Sequence, residues 1–405
     1  MQVRDACRHC GSGDLEMFLD FENYPLSDNF LQPAALGDEF LARFQAHWCR
    51  NCQLVQNLTD IDWGAYYASY DYTSSSSQFS RDFMSSVANH MVQQYKIPPG
   101  STIVDIGSGD GQQLASFREF GMNVIGFEPS EVLADVAARI NVPTIVGLFD
   151  DQAAGRLPAT YQPVHVFISS YTFDHLPDPT NSLQTIRQLI HPTEGVVMIE
   201  VHDLAKIIER REACLFCHEH TIYVTWQMMA RMFRDAGLKL VAVNPLPEQV
   251  CRGNSLIVVG VADTNPYYAE VQGEPPAWDG DFYRSFAAEV KSAHRTLRDF
   301  VKSKIASGVR LGGYGASARS ISTMSLAGLD KTDFKYVIDA NRSLSHWLLP
   351  KSHVPIRPPQ HVYAEPVDEI VVFNYGYLRE IAQSHGRFLA SGGRFHSLLD
   401  LLKAG

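Results

Sequence analysis

Twice in this chain an apolar, strand-like run ends in clustered glycines and opens onto helix-forming sequence: STIVDIGSGDGQQLASF at 101–117 and VRLGGYGASARSISTM at 309–324. Few local patterns restrict topology so tightly. A short strand that is apolar on both faces belongs in a parallel sheet covered by helices. The glycines permit the left-handed backbone of a sharp turn, and the helix that follows packs back on the sheet. Each copy predicts one strand–turn–helix crossover, so the pair predicts two α/β folds in tandem. At 405 residues the chain exceeds what one core usually holds.

Further strand-like runs extend both copies. NVIGFE, HVFISS, VVMIEV, LKLVAV and SLIVVGV follow the first, predicting a doubly wound domain over 99–262. KYVIDA and DEIVVFN follow the second, in a domain over 263–405 that opens with a long amphipathic helix near 282–307. Ahead of both lie a cysteine-marked segment, 1–60, and a tyrosine- and serine-rich segment, 61–98. Composition alone reads the serine run as a linker, whereas the tyrosines before it and the helical pattern after it suggest an ordered, substrate-facing segment.

The two glycine turns differ in chemistry. The first reads D-x-G-x-G-x-G from Asp105 to Gly111 and places Asp110 where a dinucleotide phosphate would sit, and a carboxylate there repels phosphate. S-adenosylmethionine carries no phosphate and has a cationic amino group. Glu128 ends the next strand, 21 positions after Gly107, where an acid meets ribose hydroxyls. Asp105, Gly107, Gly109, Asp110 and Glu128, with Ser170 at the end of HVFISS, are therefore the candidate S-adenosylmethionine residues. The second turn, Tyr314, Gly315, Ala316, Ser317 and Arg319, contains no acid and offers hydroxyls and a guanidinium. It suits the pyrophosphate of a nucleotide, and its plainer reading is a structural turn.

Cysteine spacing supplies a third constraint. Cys7-x-x-Cys10 and Cys49-x-x-Cys52 are two knuckles that together give four soft ligands for one tetrahedral structural Zn²⁺. The opening MQVRDACRHC has no apolar core of the kind an export signal needs, so reduced thiols and a cytoplasmic setting are expected. Apolar runs are too short to cross a membrane. A net charge of −11 argues against nucleic acid or an anionic membrane as partner. Residues 214–220 read CLFCHEH and admit three chemistries: a metal held by Cys214, Cys217 and a histidine, haem attachment at C-x-x-C-H, or proton transfer by Glu219 and His220. Haem is disfavoured because thioether attachment normally follows export.

In their order along the chain, these motifs resemble the deoxysugar C-methyltransferases that alkylate C-3 of dTDP-4-keto-6-deoxysugars. The resemblance is carried by the paired knuckles, PLSDNF (25–30), Y-x-Y-x-S-S at Tyr70–Ser75, DIGSGDG, FEPS, HLPD, the Glu219-His220 pair, GYGASARS and VPIRP (354–358). It implies an N-terminal zinc domain, a central Rossmann-like S-adenosylmethionine domain and a C-terminal Rossmann-like domain for a dTDP-linked sugar. It also implies that His220 is the base that removes the C-3 proton, with Glu219 orienting it, and that Tyr72 and His175 serve the enolate oxygen or the sugar. Tyr70 and the second glycine turn would bind substrate. Cys217 stands where the family has tyrosine, and VCRGNS (250–255) and ANRSLSHW (340–347) also depart from its pattern. O-methylation, C-3 epimerisation and non-catalytic sugar-nucleotide binding are the alternative readings.

Overall fold

The structure is a computed structural model that describes all residues except 28, 69–72, 74, 76 and 405. The chain forms two compact units, each gathered from separated stretches. The first comprises Met1–Leu15, Cys49–Leu204 and Thr221–Ala277, and the second Glu16–Trp48, Ala205–His220 and Trp278–Gly405. Residues 1–60, expected as one segment, thus contribute to both. Among the described residues, no helix is long and apolar enough to cross a membrane.

The first unit is built on a seven-stranded sheet. Its strands are β1 (Thr102–Ile106), β2 (Asn123–Glu128), β3 (Thr144–Val146), β4 (Val166–Ser170), β5 (Val196–His202), β6 (Leu238–Val243) and β7 (Ser255–Ala262). They lie in the order β6-β7-β5-β4-β1-β2-β3. The pairs from β5 to β3 are parallel, and β7 enters antiparallel to both β5 and β6. Alternate residues of one strand feed different cores: Val104 and Ile106 pack on one side of the sheet, and Ile103 on the other. That period of two, apolar on both sides, is why these runs form interior strands. The order reverses at β1 and β4, and in open α/β sheets ligands bind outside the carboxyl ends at such a point.

The second unit holds a five-stranded, wholly parallel sheet. Its strands are β8 (Leu311–Tyr314), β9 (Val337–Ile338), β10 (Ile356–Arg357), β11 (Glu369–Val372) and β12 (Arg394–Ser397), in the order β10-β9-β8-β11-β12. The expected amphipathic helix runs Gly280–Ala306. It buries Tyr283, Phe286, Val290, Ala293, Leu297 and Val301, and Asp279 caps it by accepting from the Phe282 amide at 2.9 Å. The α/β reading therefore holds for both glycine-turn segments. Residues 214–220, CLFCHEH, are fully buried within this unit.

Candidate active site

In the first unit, β1 leads through the glycine turn into the helix α1 (Gln112–Arg118). Gly107 has φ +75°, and a Cβ there would stand 2.2 Å from the Thr172 side chain. Gly109 also has positive φ, yet nothing lies within 4 Å of where its Cβ would be. One glycine lets the turn pack against the segment after β4; the other leaves open space above the turn. Around that space stand three buried acids. Glu128, at the end of β2, accepts from the Gly109 amide at 2.9 Å and the Ser130 amide at 2.8 Å. Asp110 accepts from Ser75, from its amide at 3.2 Å and its hydroxyl at 2.6 Å. Burial, with repulsion from Glu128 and Asp110, pushes the Asp105 carboxyl up to about 8. Burial pushes Glu128 up as well. The buried Oγ atoms of Ser169 and Ser170 have no hydrogen-bond partner among the described residues. Crowded acids, unused hydroxyls and an open glycine fit a cationic ligand with polar hydroxyls and no phosphate, so the residues present suit S-adenosylmethionine.

The four N-terminal cysteines converge. Cys7 and Cys52 sulfurs are 3.5 Å apart, those of Cys10 and Cys49 are 3.6 Å apart, and all four lie within 4.8 Å of one another. A tetrahedron with Zn–S bonds of about 2.3 Å places its sulfurs ~3.8 Å apart, so the set fits one Zn²⁺. The two knuckles share one design. The Gly11 amide donates to the Cys7 carbonyl at 3.0 Å, and the Gln53 amide to the Cys49 carbonyl at 2.8 Å. Gln56 and Asn51 donate to the Cys7 and Cys10 sulfurs at 3.2 and 3.3 Å, a second layer of donors to the ligands. Hydrogen bonding from Cys52 draws the Cys7 thiol down to about 4, while burial pushes Cys49 up to about 11. Four such sulfurs ionise together only beside a cation, and a divalent metal supplies it.

CLFCHEH has a different logic. Among the described residues, Cys214 and Cys217 join no cluster with metal-ligand geometry. Burial pushes the Cys214 thiol up to about 12, so it packs as a neutral group. His218 is fully buried, bonded through Nε2 to the Tyr24 carbonyl at 3.2 Å and edged by Phe40 and Phe44. Burial lowers its pKa, which keeps it neutral and structural. His220 donates from Nδ1 to the Leu215 carbonyl at 2.7 Å. A carbonyl only accepts, so the proton of the neutral ring sits on Nδ1 and the lone pair on Nε2. Glu219 accepts from Ser27, from its amide at 2.6 Å and its hydroxyl at 3.0 Å. The group at Nδ1 is therefore a main-chain carbonyl, whereas sequence reasoning assigned the orienting role to Glu219. The carboxylate ties PLSDNF to the histidine-bearing segment instead.

Tyr70 and Tyr72 lie outside the described residues. Their neighbour Tyr67 bonds His175 Nδ1 at 2.8 Å. Asp174, whose side chain is only 2% exposed, holds His202 Nδ1 at 2.9 Å and lies 3.9 Å from His175 Nε2. Two imidazoles thus flank one buried carboxylate beyond the carboxyl ends of β4 and β5. Sequence reasoning missed Asp174, His202 and Tyr67. Its usable signal was position, since His202 is the last residue of β5, where such sheets carry ligand-facing groups. The departing stretch VCRGNS also acquires a role. Arg252 pairs with fully buried Glu200, which accepts from Ser255 at 2.6 Å, and the guanidinium lies 4.6 and 4.7 Å from the centres of the Phe83 and Tyr171 rings.

The second glycine turn lies between β8 and the helix α2 (Ala318–Ala327). The Gly315 amide donates to the Ile338 carbonyl at 2.8 Å, and the Ala316 amide to the Asp339 carboxylate at 2.8 Å. The Ser317 amide donates to Ser320 Oγ at 3.0 Å. The amides of these three residues, all named as substrate-binding from the sequence, are thus engaged within the fold. Tyr314 packs edge-on against His385, and burial pushes its hydroxyl up to about 12. Asp339 follows the neighbouring strand directly and closes on its turn through an amide, as Glu128 does in the first unit.

Comparison with known proteins accounts for all three motif groups. Residues 7–67 match a zinc binding domain family, 81–243 a methyltransferase domain family, and 277–399 the C-methyltransferase C-terminal domain family. The C-methyltransferase NovU of Streptomyces niveus is 26% identical over 400 residues, spanning 96% of this chain and 94% of NovU. These matches support a place for the chain among the S-adenosylmethionine-dependent C-methyltransferases. A ubiquinone biosynthesis O-methyltransferase of Cupriavidus pinatubonensis is 28% identical over 165 residues, covering 37% of this chain and 66% of that protein. The CcbJ methyltransferase structure from Streptomyces caelestis superposes with TM-score 0.39 at 14% identity, over 50% of this chain and 99% of that one. The family's cofactors match the residues on hand: S-adenosylmethionine at the acidic glycine turn, and structural zinc at the four cysteines.

Proposed function

We propose that this enzyme methylates C-3 of a nucleotide-linked 4-keto-6-deoxysugar, probed best with a dTDP-linked one. The observation that carries the reading is the His220–Leu215 hydrogen bond, which puts the proton of the neutral ring on Nδ1 and the basic lone pair on Nε2. The C-3 proton of such a sugar lies α to the C-4 ketone. His220 takes that proton on Nε2, and the electron pair of the broken C–H bond passes into the C-3–C-4 bond and onto the ketone oxygen. A hydrogen-bond donor at that oxygen would lower the barrier. Bound S-adenosylmethionine would supply an electrophilic methyl group to that carbon, the sulfur keeping the electron pair of the broken S–CH3 bond and leaving as the neutral thioether. Asp110 and Glu128 would hold the donor by charge and as acceptors for its hydroxyls, with the Asp105 carboxyl beside them.

Incubation with S-adenosylmethionine and a dTDP-4-keto-6-deoxysugar tests the reading. The expected product gains one methyl on C-3, located by NMR. A methyl on oxygen, or inversion at C-3 without methyl gain, refutes it in favour of O-methylation or epimerisation.

A further inference from the structure

Arg319 opens the helix after the second glycine turn, where sequence reasoning assigns it to a phosphate. Its guanidinium is engaged within its own unit. Nε lies 3.7 Å from the Glu212 carboxylate, and the group sits 5.6 Å from the centre of the Tyr375 ring. The Tyr375 hydroxyl donates to the same Glu212 oxygen at 2.5 Å, and Arg210 approaches the other at 4.0 Å. The Glu212 side chain is 1% exposed. A carboxylate that deeply buried persists only with its cations and donors in place, so this is a held point in the fold.

What Glu212 holds is the histidine. Its own carbonyl accepts from the Leu215 amide at 3.0 Å, closing the single turn Ala213–Leu215. The Leu215 carbonyl in turn accepts from His220 Nδ1 at 2.7 Å. The path therefore runs from Arg319 and Tyr375 through Glu212 and one backbone turn to the ring whose Nε2 must point at the substrate.

We propose that Arg319, Tyr375 and Glu212 form a clamp that positions the His220 base, and that Arg319 acts through this clamp rather than as a phosphate ligand. The inference rests on the assignment of His220 as the base. Loosening the clamp frees the Leu215 carbonyl to shift, and misplacement of a catalytic group by about 1 Å costs up to roughly a hundredfold in rate.

The variants Arg319→Met, Arg319→Lys and Tyr375→Phe test it, the last being the mildest because it removes one oxygen. Three quantities are measured: dTDP affinity by calorimetry, C-3 deuterium exchange of a dTDP-4-keto-6-deoxysugar, and the ¹⁵N signals of His220, assigned by loss in His220→Asn. Arg319→Met is expected to leave the dTDP Kd within about twofold and to slow exchange roughly tenfold to a hundredfold, with KM little changed. Tyr375→Phe should slow exchange less, and Arg319→Lys should recover part of the loss by restoring a cation beside Glu212. A dTDP Kd weakened tenfold or more with unchanged exchange makes Arg319 a phosphate ligand and overturns the proposal. If the wild-type protein exchanges no sugar proton, the ketosugar reading fails. The clamp is then judged on the His220 signals alone, where an unchanged Nδ1 resonance in Arg319→Met overturns it.

Discussion

Glu128→Gln separates two things that one carboxylate does. In the folded chain its oxygens accept two amide hydrogens, from Gly109 at 2.9 Å and Ser130 at 2.8 Å. Glutamine keeps the shape and one acceptor, but its NH₂ group then faces the second amide. An orphaned buried N–H costs about 1–3 kcal/mol. Against that, the substitution removes a buried carboxylate whose own desolvation burdens the fold and whose charge raises the cost of ionising Asp105. The two effects oppose each other, so the melting temperature without ligand should move only a few degrees. Binding should suffer more. Replacing a charged acceptor by a neutral one at ribose hydroxyls, and deleting one charge from a site for a cation, together cost about 1.5–3 kcal/mol, or roughly tenfold to a hundredfold in Kd. Calorimetry with S-adenosylmethionine and with S-adenosylhomocysteine divides this loss. Both ligands carry the ribose, and only the first carries the sulfonium. A larger loss for the sulfonium ligand assigns the excess to charge, while equal losses assign the whole effect to the ribose. Unchanged affinity for both refutes the placement of the donor at the end of β2.

Metal analysis of the purified protein should give about one zinc per chain, and Cys52→Ser should lower both zinc content and melting temperature. No zinc in folded, active protein refutes the four-cysteine site, and two equivalents would place a second ion elsewhere. Asp105 predicts a pH effect. Its folded pKa is about 8 against 3.8 for an ordinary aspartate, so between those values the unfolded chain has lost a proton that the folded chain retains. Stability from this group therefore falls as pH rises from about 4 to 8, and Asp105→Asn should flatten that fall. An unchanged slope of melting temperature with pH contradicts it. Glu219→Gln should cost only about 1 kcal/mol of stability, because the amide can still accept from the Ser27 amide and donate to its hydroxyl. A loss of activity as large as that of His220→Asn would restore Glu219 to the proton-transfer role.

Where the sequence was legible, backbone periodicity and glycine turns carried the information. Both α/β sheets, the acid at Glu128 and the converging cysteines follow from spacing along one strand or one knuckle. Three features were not legible, and each depends on which distant residues meet. Ser27 claims Glu219 across 192 positions of chain. Asp339 closes on the second glycine turn because β9 lies beside β8, a pairing no local pattern states. Arg319 looks like a phosphate ligand by its place at a helix start, and only tertiary packing delivers Glu212 and Tyr375 to it. The zinc knuckles read well because a metal demands its ligands by type and spacing. The proposed base is less explicit, since what puts the lone pair on its Nε2 is the carbonyl at its other nitrogen.

Exchange of the C-3 proton of a dTDP-4-keto-6-deoxysugar with deuterated water, compared between wild type and His220→Asn, tests the central claim most directly. It isolates proton removal from methyl transfer. His220→Asn touches neither glycine turn, so S-adenosylmethionine and dTDP should bind with wild-type affinity. Exchange should fall by roughly 10²–10⁴, the usual worth of a positioned general base. Exchange at the wild-type rate in His220→Asn would contradict the account and pass the role of base to His175 or His202.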